Sequence, residues 1–384
     1  MKIGKRNEIQ LNPLKYNLML IGESGIGKTT IINEYCQKLA GNEDGSYIFL
    51  ECGKEDGGDA LNGLPYVSCS DWDGEYDEDL NVIGFRTFID DVIENKATDW
   101  KNLKVVVIDT LDELFAIAEP KVIEMHNKEN PTKRVKSIKA AFGGFQAGED
   151  KVVDIVTEAL WDLKKVGVSF VIIGHTKSRT QTDVVTGMEY LQLTTNMSNK
   201  YFNAIKTKVH FLGVASIDRE IVREKTGKKD FVTKKDIEKG VIKNEIRKIT
   251  FRDNNYNIDS KSRFSDIVPS IDFDSDLLIK ALTDAIRAEQ SKSSKPYDVA
   301  KKEQEERDKV LEEKIAVAEA KNKNDEVLNS LKSEIVNFFI ENKTNQDVLK
   351  TVLSTIKNLG YSNPNEINKI EDAKVVHDLC LSLL

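Results

Sequence analysis

The chain has 384 residues, of which 40% are hydrophobic and 31% are charged. At roughly 150 residues per domain this leaves room for two or three domains with a sizeable core, and it excludes a fibrous or wholly disordered protein. The formal net charge of −8 argues against a protein that coats nucleic acid through its overall charge, so any such contact is local.

Cysteine usage and hydropathy indicate the compartment. Cys36, Cys52, Cys69 and Cys380 lie far apart without a CxxC pair, which predicts reduced thiols rather than a zinc site or a disulfide framework. The longest apolar runs fall well short of the roughly 20 residues that a membrane helix needs. No long apolar stretch follows the basic N-terminus, so we expect no secretory signal, no membrane contact and a cytoplasmic location.

The first two thirds of the chain alternate short apolar runs with helical stretches, a pattern typical of a parallel sheet covered by helices. The predicted strands are Tyr16–Ile21, Tyr47–Glu51, Lys104–Ile108, Phe170–Ile173 and Lys208–Gly213. Helices are predicted from Lys28 to about Leu39, over Ile83–Glu94 and over Val152–Val166. The fold class predicted is therefore α/β with a mostly parallel sheet flanked by helices.

Beyond Val214 the predicted strands become antiparallel. Ala215–Val222 and Arg247–Arg252 flank a Lys-rich segment, Arg223–Lys248. Strand signals stop after Asp274, and helical patterns follow. The predicted division is a core domain over 1–274, a helix, linker and charged helix over 275–325, and a small α-helical C-terminal module over 326–384.

A phosphate-binding motif occupies Gly22–Thr29, which spells GESGIGKT and fits GxxxxGK[ST] between an apolar strand and a helix. Its glycines let backbone N–H groups point at phosphates, and the helix N-terminus adds its dipole. We expect Lys28 to reach the β- and γ-phosphates of ATP and the Thr29 hydroxyl to coordinate Mg²⁺. The alternative is a Gly-rich turn that binds nothing. The predicted nucleotide contacts are Gly22, Glu23, Ser24, Gly25, Ile26, Gly27, Lys28, Thr29 and Thr30.

A second anchor for Mg²⁺ is predicted where Val105–Asp109 ends an apolar strand in a carboxylate, as a Walker B strand does. Asp109 is the candidate metal ligand. An alternative role for Asp109 is a helix N-cap, because Asp112 and Glu113 follow in what would be a first helical turn; the two roles are compatible.

A polar residue at the end of another core strand is a candidate sensor of the γ-phosphate. His175 follows Phe170–Ile173, and the carboxyl ends of parallel strands are where open α/β sheets bind ligands. The alternative is a structural histidine, and Lys177 is the second candidate.

These motifs resemble those of RecA-type P-loop ATPases of the compact kind carried by bacteriophages, which are related to single-strand-annealing ATPases. The resemblance runs from about Leu14 to Asp274. Its weaker parts are the Gly/aromatic loop at Ala140–Phe145, the strand end at Ile173–His175 and the basic tetrapeptide at Ser260–Arg263. The sequence departs from the family's familiar form in an acidic insertion around Asp71–Asp79 and in its extra C-terminal helices.

The resemblance implies a RecA-like core with an antiparallel C-terminal hairpin that hydrolyses ATP as a ring or filament of identical subunits. It places the catalytic carboxylate after the second strand, where Glu51 is slightly favoured over Glu55. Lys261 and Arg263 match basic residues that reach the nucleotide of a neighbouring subunit; the alternative is a solvated basic turn.

Two basic segments are candidate contacts for single-stranded DNA. Lys121–Lys139 leads into Phe142 and Phe145, and a second segment covers Lys225–Lys239. Basic groups neutralise phosphates and aromatic rings stack on bases, although a charge run is also compatible with a plain solvated face.

The leading hypothesis is therefore a phage recombination, annealing or replication ATPase that acts on DNA in the cytoplasm of the bacterial host. The alternative is a nucleotide-dependent interaction switch or loader that binds phage replication or recombination proteins, through the acidic insertion or the C-terminal helices, without touching DNA. A small-molecule phosphotransferase ranks last, because the sequence identifies neither an acceptor pocket nor a lid.

Overall fold

A computed structural model describes residues 8–41, 43–54, 57–183, 186–229, 236–253, 258–292, 296–343 and 345–383. The chain divides into two compact units, Met1–Gln304 and Glu305–Leu384. The first unit extends beyond the predicted boundary at residue 274, because the helix that follows packs into its core.

The first unit is built on one ten-stranded sheet within the described residues. Its strands are β1 (Leu18–Gly22), β2 (Tyr47–Cys52), β3 (Tyr66–Cys69), β4 (Val105–Asp109), β5 (Ser169–Thr182), β6 (Glu189–Thr195), β7 (Phe211–Lys229), β8 (Asp236–Thr250), β9 (Lys261–Ser262) and β10 (Ser270–Asp272). The sheet order is β10-β8-β7-β1-β5-β4-β2-β3, with β6 paired to β5 and β9 to β7. The strands from β7 to β3 run parallel in this order, so their carboxyl ends share one edge.

Helices cover both faces of the sheet. They are α1 (Lys28–Ala40), α2 (Phe85–Glu94), α3 (Leu111–Glu129), α4 (Ala147–Lys165), α5 (Asn199–Lys206), α6 (Ser275–Ser291), α7 (Tyr297–Glu341), α8 (Gln346–Asn358) and α9 (Ile370–Ser382). Helices α2 to α5 pack on one face, and α1 and α6 on the other. Because β1 and β4 are covered on both faces, all of their residues are buried, which explains their uninterrupted apolar sequences.

Helix α6 belongs to the core of the first unit rather than to a separate segment. Asp274 caps it by accepting hydrogen bonds from two backbone N–H groups of its first turn. Leu278, Leu282 and Ile286, at helical spacing, are buried against α1 and the sheet. This burial places the end of the compact unit beyond residue 274.

Three long elements differ from the predicted ones. β5 continues past His175 and forms an antiparallel hairpin with β6, which was not predicted. β7 and β8 form an antiparallel ribbon through most of the predicted Lys-rich segment, in which Glu224 is the backbone register partner of Lys239 and Lys225 is that of Glu238. α7 continues through the predicted boundary at residue 325 without a break, because no Gly or Pro interrupts it. β3 and α5 were also not predicted, and of α3 the sequence indicated only a first turn.

The second unit is helical. The C-terminal part of α7 packs with α8 and α9 around Ile335, Val352, Ile356 and Val376, all fully buried. The predicted α/β class, with a mostly parallel sheet, an antiparallel hairpin and a helical C-terminal region, is confirmed. Within the described ranges, the structure contains no helix long and apolar enough to cross a bilayer.

Candidate functional site

The predicted phosphate loop forms the turn between β1 and α1. Gly25 and Gly27 have φ angles of 74° and 103°, a left-handed region that favours glycine. The Lys28 ammonium group donates hydrogen bonds to the carbonyls of Gly22, at 3.1 Å, and Glu23, at 3.0 Å. These bonds hold the cation across the mouth of the turn, where a phosphate would meet it.

The remaining loop residues differ in exposure. Ile26 is buried in the core and anchors the turn, whereas the side chains of Ser24 and Thr30 are exposed. Glu23 is half-buried, and its carboxylate lies 3.6 Å from the guanidinium group of Arg219. The backbone of the loop and the side chains of Lys28 and Thr29 are therefore the groups that we expect to meet phosphates, and contacts from the other loop side chains stay a prediction.

The two predicted metal ligands meet. The Thr29 hydroxyl donates a 2.8 Å hydrogen bond to Asp109 Oδ2, although the residues are far apart in the sequence. Asp109 is 5% exposed and ends β4, whereas Thr110 is the N-cap residue of α3, so the capping role considered for Asp109 does not apply. A hydroxyl and a carboxylate oxygen are ligands that Mg²⁺ prefers, so this pair fits the metal.

Glu51 lies beside this pair. It is the register partner of Asp109 on the neighbouring strand, so their side chains project from the same face of the sheet, from backbones about 5 Å apart. Glu51 is 2% exposed and accepts a hydrogen bond from the N–H of Gly58. A side chain at Gly58 would collide with this carboxylate. Glu55, the other candidate carboxylate, lies outside the described residues.

His175 lies at the same edge, because it is the register partner of Gly22. Its Nδ1 atom is 3.0 Å from Asp112 Oδ2, and the Asn196 amide group donates to that same oxygen at 3.3 Å. Burial opposes ionisation of Asp112, but the hydrogen bond and charge of His175 outweigh it, so the pKa of Asp112 is lowered. An ionised Asp112 therefore fixes the orientation of the His175 ring.

Three buried oxygen atoms at this edge have no hydrogen-bond partner among the described residues. They are Thr110 Oγ1, Asp112 Oδ1 and Thr176 Oγ1. Buried polar atoms are normally satisfied, so these oxygens fit an edge that receives a polar ligand.

Lys261 and Arg263 lie elsewhere in the first unit. β9 pairs with the first residues of β7, at the amino-terminal edge of the parallel strands and therefore opposite the phosphate loop. Lys261 donates to the carbonyls of Lys206 and Val209, and Arg263 to that of Thr207. Neither residue joins the site of its own chain, so a role at a neighbouring subunit's nucleotide stays a prediction.

Several residues at the site carried no recognisable sequence signal. Asp112 reaches the site on α3, of which the sequence indicated only a first turn, and Asn196 reaches it at the end of the β5–β6 hairpin, which was not predicted. The guanidinium group of Arg247 donates to the Ile26 carbonyl at 3.2 Å, and the Phe273 ring lies 3.3 Å from where a side chain at Gly27 would begin. The base of the β7–β8 ribbon therefore packs directly on the phosphate loop.

The first basic segment is only partly a loop. Lys121 and Lys128 lie on α3, whereas Lys133, Arg134, Lys136 and Lys139 follow it and are exposed. Phe142 packs against the core, and its N–H donates to His126 at 3.1 Å, whereas the Phe145 side chain is fully exposed. The second basic segment, Lys225–Lys239, lies largely outside the residues whose side chains are described.

Taken together, the glycine-bearing turn, Lys28 and the Thr29–Asp109 pair at the carboxyl edge of a parallel sheet define a P-loop protein. Comparison with known proteins gives the family. A family model described as an AAA domain matches residues 14–264, so the chain belongs to this family of P-loop ATPases.

The chain was also compared with solved structures and with curated proteins. The chain is similar to the solved structure of a KaiC-like protein, PH0186, from the hyperthermophilic archaeon Pyrococcus horikoshii OT3. The identity is 12%, over 66% of this chain and 83% of that chain, with a TM-score of 0.34. A search of curated proteins finds no match.

Proposed function

We propose that this protein binds Mg²⁺ and ATP at the phosphate loop, hydrolyses the ATP, and uses the cycle to act on single-stranded DNA as a homo-oligomer. The hydrogen bond between Thr29 and Asp109 is the observation that carries the proposal, because it brings the two halves of a P-loop metal site together.

Each residue of the nucleotide site has a definite role in this proposal. The backbone N–H groups of Gly22–Thr29 receive the phosphate oxygens, and Lys28 exchanges its carbonyl partners for the β- and γ-phosphates. Thr29 and Asp109 hold the metal, which neutralises charge on the phosphates when bound. The buried edge excludes water and so strengthens these interactions.

Hydrolysis requires a carboxylate that orients or deprotonates the attacking water. Glu51 is our candidate, because it is buried, fixed by Gly58 and adjacent to Asp109. His175, oriented by Asp112, contacts the γ-phosphate from the strand next to the phosphate loop. Glu55 remains the alternative to Glu51.

DNA contact is assigned to the exposed segment that contains Lys133, Arg134, Lys136, Lys139 and Phe145. Four cations neutralise phosphates, and a fully exposed ring is suited to stacking on a base.

A chain of contacts links this segment to the nucleotide edge. Asn196 bonds to the His175 carbonyl through its N–H and to Asp112 through its side chain. Lys200, on the helix that begins just after Asn196, donates to the Gln146 carbonyl at 2.9 Å, next to Phe145. We infer that the nucleotide state reaches the DNA segment along this route.

The proposal also covers the oligomeric assembly of the protein and its biological role. Lys261 and Arg263 act on the nucleotide of a neighbouring subunit, which makes turnover depend on a ring or filament. The resemblance to phage annealing ATPases supports a role in phage DNA recombination or replication in the cytoplasm of a bacterial host. The alternative function, a nucleotide-dependent switch or loader for phage proteins, predicts stimulation by a protein partner rather than by DNA.

The decisive experiment is the ATPase rate per subunit across a range of protein concentrations, with and without single-stranded DNA. The proposal predicts a rate that rises with protein concentration and rises further with DNA. A rate independent of both would contradict assembly and DNA action together, while leaving the nucleotide site to be tested by its own variants.

A further inference from the structure

A cavity of about 400 Å³ lies at the β3 end of the sheet, away from the nucleotide site. β3 is the last strand on this side, and β2, β4 and β5 separate it from β1. At about 4.8 Å per strand, the cavity is roughly 19 Å from the phosphate loop's strand. It is therefore a separate site.

The cavity is apolar and preformed. Its lining includes the aromatic rings of Tyr66, Tyr76, Phe88 and Trp100, together with Asp91. The indole N–H of Trp100 donates to Asp91 Oδ2 at 2.6 Å, and the rings of Phe88 and Trp100 pack edge to face at 5.3 Å. Because these contacts hold the rings of Phe88 and Trp100 in place, an entering side chain does not have to order those two rings first.

A segment rich in carboxylates, here called the acidic collar, borders this cavity through Tyr76. The insertion Asp71–Asp79 carries six carboxylates and no basic residue in the sequence DWDGEYDED, and all six side chains are exposed. Tyr76, within the insertion, and Leu80, directly after it, are 56% and 70% exposed. An apolar cavity next to exposed carboxylates suits an apolar side chain that is flanked by lysines or arginines. The same carboxylates repel nucleic acid.

The chain itself contains a segment with this pattern. Residues 228–235 spell KKDFVTKK, which places Phe231 and Val232 between two pairs of lysines. This segment joins the end of β7 to the start of β8, and residues 230–235 lie outside the described residues. Its charge and its apolar centre complement the collar and the cavity.

The two complementary features lie at opposite ends of one sheet, since β7 and β8 are on the far side of β1 from β3. The ribbon also extends well beyond the sheet. β7 pairs with β1 only over Phe211–Ala215, and β10 pairs with β8 only over Lys248–Thr250, so among the described residues the distal ribbon is two-stranded. An isolated two-stranded ribbon is marginally stable in water, so a surface that receives its tip stabilises it.

We propose that the cavity of one subunit receives Phe231 of a second copy, with Lys228, Lys229, Lys234 and Lys235 facing the acidic collar. The contact joins different surfaces of the two copies, so it is heterologous and extends into a ring or a filament. It depends on neither nucleotide nor DNA, and it is distinct from the proposed action of Lys261 and Arg263.

Sedimentation velocity of the full chain without nucleotide, over a range of protein and salt concentrations, tests the contact. A collar variant, Asp77→Asn with Glu78→Gln and Asp79→Asn, should weaken self-association about tenfold or more at low salt. A tip variant, Phe231→Ser with Lys228→Ser and Lys229→Ser, should weaken it at least as much, because it removes the anchor. A matched control, Glu43→Gln with Asp44→Asn and Glu371→Gln, removes three exposed carboxylates elsewhere and should leave association unchanged.

Mixing the two variants gives the sharper result. The collar variant keeps a functional tip and the tip variant keeps a functional collar, so one productive contact forms and the mixture should stop at a heterodimer. Wild-type protein should continue to larger species. Thermal unfolding midpoints equal to wild type, measured for both variants, show that folding is intact; if either variant fails to fold, the single changes Tyr76→Ser and Phe231→Ser replace it.

Three outcomes overturn the proposal. One is unchanged association in the folded collar variant, and a second is a mixture that contains only monomers. The third is a tip variant that self-associates normally but loses affinity for single-stranded DNA, because the lysine pairs would then serve nucleic acid. Each outcome leaves the nucleotide-site assignment untouched, so failure here is distinguishable from failure of the proposed ATPase.

Discussion

The two edges of the parallel sheet differ in the charged residues that they gather. The carboxyl edge gathers carboxylates, with Glu51 and Asp109 buried side by side and Asp112 next to His175. The amino edge gathers cations, and Lys261 and Arg263 bond there to backbone carbonyls.

The pKa values of one residue at each edge are lowered, for different reasons. At the amino edge, burial and the neighbouring charges of Arg263 and Lys206 lower the pKa of Lys261. At the carboxyl edge, the pKa of Asp112 is also lowered, in its case because His175 stabilises the ionised form.

This contrast indicates which edge of the sheet is suited to binding a metal and a nucleotide. Buried carboxylates beside a glycine-bearing turn are costly unless a cation or a strong donor meets them, so the carboxyl edge is suited to a metal and a nucleotide. The cations of the amino edge already donate to carbonyls of their own chain. Their function, if they act in catalysis, requires a second subunit.

The largest effect is expected at Lys28. Lys28→Ala removes the positive charge that meets the β- and γ-phosphates, so ATP affinity or turnover should fall by roughly 100-fold or more. Fluorescent-nucleotide titration and a phosphate-release assay measure both quantities. Lys350→Ala, on α8, is the matched control; if Lys28→Ala keeps wild-type activity, the carboxyl edge is not the nucleotide site.

Glu51→Gln should separate binding from hydrolysis. The amide oxygen can still accept from Gly58, so the fold and ATP binding are preserved, but the group no longer activates water and kcat should fall roughly 100-fold. Single-turnover kinetics measure the chemical step. A greater loss in Glu55→Gln than in Glu51→Gln would transfer the role to Glu55.

Asp112→Asn tests the orientation of His175 and should lower kcat roughly tenfold with little change in ATP affinity. The effect is smaller because Asp112 acts through the imidazole ring. The double variant Asp112→Asn with His175→Ala should be no slower than His175→Ala alone. Additive losses in this cycle would show that the two residues act independently.

Replacing Lys261 and Arg263 by alanine should depress the ATPase rate of an assembled sample. Mixing this variant with Glu51→Gln, which keeps both cations, should restore part of the rate, because the cations of one subunit serve the nucleotide of the other. Some loss of stability, of about 1 kcal/mol, is expected from the carbonyls left without donors. Absence of any rescue would leave the amino edge with a purely structural role.

The smallest effect concerns pH and His210 at the amino edge. Burial and the charges of Arg263, Lys164 and Lys261 lower its pKa to about 4. The folded state therefore binds the proton less readily than the unfolded state, and stability should fall as the pH drops from about 6.5 towards 4. We expect His210 to account for about 1 kcal/mol of that loss, since the ring is only half-buried.

Urea unfolding at pH 7 and pH 5 measures this effect. His210→Gln should show a weaker dependence on pH than wild type over this interval. An equal dependence in the two proteins would show that the imidazole ring does not carry the effect.

The sequence predicted the geometry of the carboxyl edge because its determinants are local. The sequence GESGIGKT predicts a phosphate-binding turn by itself. The apolar runs Val105–Asp109 and Phe170–Ile173 show where two strands end. Parallel strands bring those ends to one edge, so the meeting of Thr29 and Asp109 followed from strand positions alone.

The other features could not be predicted, because tertiary packing brings their residues together without producing a periodic pattern in the sequence. Asp112 becomes a partner of His175 only after α3 is placed against β5, and Asn196 arrives through a hairpin whose strands are polar. The cavity at the β3 end is likewise assembled from four separate segments. The burial of α6 also depends on tertiary packing, since its apolar residues contact α1 and the sheet.

The central claim is that a nucleotide and its metal bind between the phosphate loop and Asp109. The most direct measurement is the affinity for ATP with and without Mg²⁺ in wild-type protein, in Asp109→Asn and in Thr29→Val, with Thr351→Val as a control. The account predicts that Mg²⁺ strengthens binding to wild type and to the control by about tenfold or more, and that this gain disappears in the other two variants. An equal gain from Mg²⁺ in all four proteins, or no ATP binding by wild type, would contradict it.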